Sequence, residues 1–146
     1  MLRHAVPIIL LCGLPGLAAA RTVTKFSAPT GSVSSTLAIV MNLSGGGTAS
    51  FTPAVGPNCS LGQTCGYSNT AMNIALPDGS SVSLANLHGT FQPLSGNTYE
   101  VLGRGTGTTS AGGKAAVSAL QVTMSITCNR GCSKTYLAGK FRLTTP

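Results

Sequence analysis

Residues able to do acid/base chemistry are scarce in this chain. After residue 20 there are one histidine, His88, and two acids, Asp78 and Glu100, so any proton-transfer scheme must draw on these three. Asp78 lies in Pro77-Asp78-Gly79, where turn chemistry alone accounts for it. No serine stands in a Gly-x-Ser-x-Gly elbow, and a Ser/His/Asp arrangement would have to recruit the turn aspartate. Paired-carboxylate chemistry would need Asp78 and Glu100 to converge. Glu100 and Arg104 share one strand parity, and an ion pair between them explains both. A non-enzymatic protein is the primary reading, with a small hydrolase using His88 as the alternative.

The cysteines favour bridges over metal. Beyond Cys12 there are four: Cys59, Cys65, Cys128 and Cys132. Five residues separate the first pair and three the second, which is not a zinc knuckle repeated twice. The local pairing, Cys59 with Cys65 and Cys128 with Cys132, is favoured because each pair brackets a turn-rich segment. Neither a metal nor a cofactor is expected. Gly103-Arg104-Gly105-Thr106-Gly107 is glycine-rich but lacks the Lys-Ser/Thr ending of a phosphate loop. The stapled loop spanning residues 58–66, from Asn58 to Gly66, would suit a protease inhibitor, since a rigid loop binds at lower entropic cost.

The basic residues are the main functional lead. Setting aside Arg3 in the leader, eight Lys and Arg face two acids, a formal charge of +6. Arg130, Lys134, Lys140 and Arg142 cluster near the C-terminus, and Lys134, Lys140 and Arg142 share one parity with Tyr136. Together Arg130, Lys134, Tyr136, Lys140 and Arg142 form an expected anion-binding stripe, suited to a polyanion or a cell-envelope macromolecule. The same residues also read as solvated edge-strand charges that block sheet-to-sheet association.

Positioning that stripe falls to a hairpin over residues 120–143. Leu120, Val122, Met124, Ile126 and Cys128 alternate with Gln121, Thr123, Ser125 and Thr127, the period of a strand with one buried face. Gly131 fits the tight return. Regular pairing from Cys128 opposite Cys132 sets Lys134 against Ile126, so a one-residue bulge is expected between Cys132 and Leu137. It would turn Leu137, Phe141 and Leu143 inward, and Lys134, Lys140 and Arg142 outward.

Further strands are expected over residues 21–28, 36–43, 48–52, 71–76, 81–87 and 98–106, with turns at Pro29-Thr30-Gly31, Gly45-Gly46-Gly47 and Pro77-Asp78-Gly79. Residues 56–69 show no period and read as loop. Residues 1–20 read as a removed signal peptide, with a basic start, an apolar run and Ala18-Ala19-Ala20 before the cut; large residues before Cys12 argue against lipidation. The remainder, 21–146, is one all-β domain: an antiparallel β-sandwich or small closed barrel of about seven to eight strands with disulfide-stapled loops. A secreted or periplasmic protein acting by surface binding, without a transmembrane segment after leader removal, follows from these features. An outer-membrane barrel is disfavoured by the polar face of nearly every strand. Asn42-Leu43-Ser44 and Asn58-Cys59-Ser60 match the glycan acceptor pattern.

Overall fold

The computed structural model describes residues 20–146, so the leader assignment lies outside the described residues apart from Ala20. Among the described residues, nine antiparallel strands form one sheet: β1 (Thr22–Ala28), β2 (Thr30–Val33), β3 (Ile39–Asn42), β4 (Thr48–Phe51), β5 (Cys65–Ala75), β6 (Ser81–Pro93), β7 (Thr98–Thr109), β8 (Lys114–Cys128) and β9 (Cys132–Thr145). Their order is β1-β9-β8-β7-β6-β5-β4-β3-β2. The first and last members of that order are consecutive in the chain, joined through Pro29 alone. One extended segment thus zips to β9 with its first half and to β3 with its second, which curls the sheet into a nearly closed barrel. The sandwich alternative is set aside, and Pro29-Thr30-Gly31 is a change of partner, not a reversal. Proline suits the exchange point because it has no N–H to leave unpaired.

Polar contacts draw the seam together. Ser44 N–H donates to the Ser27 carbonyl at 2.8 Å, and the Lys134 ammonium reaches the Ser35 carbonyl at 2.9 Å. The Tyr136 hydroxyl donates to the Ala28 carbonyl at 2.6 Å, directly before Pro29. Its ring needs Gly31 and Gly139: a Cβ on either would collide with it. A second tyrosine repeats the device. Tyr67, Gly89, Gly103 and Leu120 form one inward row across β5 to β8, and the Tyr67 hydroxyl donates to the Leu102 carbonyl at 2.8 Å. Gly103 leaves room for the phenol hydroxyl, and Gly89 for the Leu102 carbonyl that accepts from it.

The interior is filled. Met41, Met72, Ile74, Val82, Leu87, Val101, Leu120, Val122, Met124 and Phe141 are fully buried, as expected for a barrel of about eight strand positions. Outward positions on β5 to β9 are mostly Ser, Thr, Asn, Gln, Lys and Arg. This polarity is the inverse of a lipid-facing barrel. No helix of the described residues is long and apolar enough to cross a membrane.

Several strands differ from their sequence reading. β3 begins at Ile39 because Leu37 takes a left-handed conformation (φ 66°) in a turn closed by Ser34. β5 extends back to Cys65 through segments that look aperiodic, because an irregularity at Asn69 (φ 50°) shifts its register. β6 runs unbroken to Pro93. Further shifts occur at residues 85–87 of β6 and at Ala119 of β8 (φ 50°). Asn86 fills the first: its amide donates to Thr106 Oγ1 at 2.8 Å, and its Oδ1 accepts from the Thr106 N–H at 2.7 Å. Both disulfides pair locally, Cys59 with Cys65 and Cys128 with Cys132, consistent with folding in an oxidising environment.

Gly89→Ala should lower stability by about 2–3 kcal/mol, because its Cβ would strike the Leu102 carbonyl. Gly66→Ala, where the nearest atom is 3.8 Å away, should shift it by no more than about 1 kcal/mol, in the stabilising direction. Urea unfolding midpoints of the two variants check the contrast. Desolvation pushes the Tyr136 phenol up to about 12 from its ordinary value near 10. The neutral phenol is therefore favoured by folding, and its contribution is complete below pH ~10 and is lost as pH rises toward ~12. Unfolding midpoints across that window should fall more steeply for wild type than for Tyr136→Phe.

Candidate functional site

The anticipated cationic stripe is divided between two faces. Met124 pairs with Tyr136 and Thr123 with Ala138, so Leu137 is the extra residue. The bulge therefore sits at Leu137, later than the expected position. Lys134 and Tyr136 keep the inward parity of Ile126 and Met124, at the rim and in the seam respectively. Leu137 is 45% exposed, not part of the core. Phe141 and Leu143 turn inward, and Lys140 and Arg142 turn outward, as the patterning predicts. Arg130 stands at the hairpin tip with φ 58°. Arg130, Lys134 and Tyr136 are thus separated from Lys140 and Arg142.

Strand pairing gives the outward cations new neighbours. Lys25 on β1 lies opposite Arg142, and Ser27 opposite Lys140. Ser118 on β8 pairs with Arg142 on its other side. Beyond it, Arg104 on β7 faces the Ser118-Ala119 irregularity and pairs with His88 on β6. Lys25, Arg142, Ser118, Arg104 and His88 therefore form one row across five adjacent strands on the outer face, with Lys140 beside it. All six are exposed.

Two depressions follow the row and meet at Ala119. One, of about 410 Å³, is bounded by Lys25, Ser27, Lys140 and Arg142 over a floor of Phe26 and Phe141. The other, of about 710 Å³, is lined by Ser68, His88, Thr90, Leu102, Arg104 and Ser118. Phe26 and Phe141 stack at 5.2 Å between ring centres, so the floor belongs to the barrel core. The irregularities that bend the strands are also what contour the outer surface.

Neither carboxylate pairs with a cation of this row. Glu100 is only 7% exposed and accepts hydrogen bonds from the Gln92 amide at 2.7 Å and the Gln121 amide at 2.9 Å. The anticipated Glu100–Arg104 pair is replaced by these two amides. Asp78 accepts from the Ser80 N–H at 2.9 Å and from the Ser80 hydroxyl. Those bonds hold its carboxyl below the usual carboxylate range. His88 has Arg104 Nε against its Nε2 at 3.3 Å and the Asn86 carbonyl against its Nδ1 at 3.0 Å. A ring protonated at Nδ1 and bare at Nε2 satisfies both contacts.

No family model, curated protein or solved structure matches this chain. Its surface must therefore be read from its own chemistry. Among the described residues, no group of three or more His, Cys, Asp or Glu side chains is placed to hold a metal ion. The 58–66 loop carries the Cys59–Cys65 bridge and leaves Leu61 exposed. Lys25 escaped the sequence reading because its partner, Arg142, lies at the other end of the chain. Arg104 is hidden in the sequence by Glu100, four residues earlier on the same strand parity, which offers a simpler ion-pair explanation.

Imidazole nitrogen NMR shifts should show the neutral His88 ring protonated at Nδ1, and Arg104→Ala should relax that preference. A dominant Nε2–H form in the wild type would contradict the Arg104 contact.

Proposed function

We propose that this is a non-catalytic binding domain, secreted or periplasmic, that engages a polyanionic partner through its outer-face cation row. Its setting would be outside the cytoplasm or in the cell envelope, in keeping with the two disulfides. The observation that carries the reading is the row itself: Lys25, Arg142 and Arg104 stand in register across the sheet, Lys140 flanks them, and both acids are engaged elsewhere. Desolvating lysine and arginine is costly, whereas displacing counterions from a polyanion is favourable, so such a surface gains most from a ligand carrying many charges. A filled interior favours surface binding over carriage of a small molecule. The catalytic alternative lacks a carboxylate at His88, whose two ring nitrogens face an arginine and a carbonyl.

Two charge-matched variants test this reading on an anionic matrix. Lys140→Gln with Arg142→Gln should elute at clearly lower salt than wild type, with the slope of log affinity against log salt reduced by about 1 per lost contact. Arg130→Gln with Lys134→Gln should lose much less. Equal losses from the two would remove the row as the binding site, and unchanged elution of both would remove polyanion binding.

A further inference from the structure

Resting on the polyanion reading, we infer that the row is a site for an acidic polysaccharide, a hydroxyl-rich chain bearing sulfate or carboxylate groups, lying across the strands. With adjacent strands about 4.8 Å apart, Lys25 to His88 spans four intervals, roughly 19 Å along the sheet. That reach suits an extended chain better than a single small anion. The cations are not contiguous. Lys25 and Arg142 are neighbours, Ser118 intervenes, and Arg104 follows. Ser27, Gln121, Thr90 and Ser68 border the row, so guanidinium and ammonium groups alternate with side chains that both donate and accept hydrogen bonds. A ligand with anionic groups separated by hydroxyls complements such a surface.

The outer face also lacks what a single-stranded nucleic acid or an acyl chain would use. All seven Phe and Tyr residues belong to the core or pack against it, and none is an exposed large hydrophobic. Single-stranded nucleic acid gains about 1–3 kcal/mol per base from stacking on exposed aromatic rings, and no such platform stands here. Phe26, the aromatic nearest the row, is stacked against Phe141. Acyl chains would require a continuous apolar cleft. None of the exposed large hydrophobics, Val23, Val40, Leu61, Leu94 and Leu137, lines either depression along the row.

Titration calorimetry of the full disulfide-bonded domain with a heparin fragment and with oligo-dT of equal charge, at matched ionic strength, tests the assignment. The heparin fragment should bind at least tenfold more tightly. Lys25→Gln with Arg142→Gln should weaken it about tenfold or more, whereas Lys114→Gln, away from the row, should change it less than threefold. Circular dichroism should show all variants folded; if the double variant fails to fold, Arg104→Gln replaces it. Oligo-dT binding as tightly as the glycan would overturn the polysaccharide assignment and leave the polyanion reading standing. Binding of neither would overturn both, and equal weakening by Lys114→Gln would displace the site from the row.

Discussion

The hydrogen bond from the Tyr136 hydroxyl to the Ala28 carbonyl lies where the barrel closes, and closure decides the environment of every other residue. At Pro29 the chain leaves β9 and joins β3. Without that exchange, the sheet would end in two open edges and present rows of unpaired backbone groups to solvent. With it, each strand has a defined inner and outer face. The ring that makes this bond fits because Gly31 and Gly139 carry no Cβ, so an aromatic donor and two glycines act as one unit at the seam.

The same reciprocity operates in the wall. The Tyr67 hydroxyl lies against Gly103 and reaches the Leu102 carbonyl, which also packs on Gly89. Glycines that would otherwise weaken a strand make room for a large side chain that restores packing. Irregularities at Asn69, residues 85–87, Ala119 and Leu137 supply the curvature that long strands need to wrap around a filled core. Their effect extends to the outer surface. The two depressions meet at Ala119, where the extra residue interrupts regular pairing of β8 with both neighbours.

A chain with so few charges would ordinarily have a weak field, but here their placement concentrates it. Glu100 is held by two glutamine amides and Asp78 by its own turn, while four basic side chains gather within a span of four neighbouring strands. Since exposed charges are screened over about 8–10 Å at physiological salt, this local gathering matters more for recognition than the net charge does. Cations elsewhere have other settings: Lys134 helps close the rim, and Arg130 marks a hairpin tip.

The sequence by itself determined the all-β class, the hairpin over residues 120–143 and the inward positions of Val122, Met124 and Phe141, and it favoured both local disulfide pairings without fixing them. These follow from local rules: side chains alternate along a strand, and short cysteine spacings favour local bridges. It also made Lys140 and Arg142 legible as outward cations. Only the tertiary structure decided that the sheet is a barrel, that residues 65–70 are strand, and that Lys25, Arg104 and His88 join those cations while Arg130, Lys134 and Tyr136 do not. The reason is that one extra residue at Asn69, Ala119 or Leu137 resets the alternation without any distinctive composition. Neighbours from opposite ends of the chain, such as Lys25 and Arg142, are set by closure around a common core, and no local pattern records it.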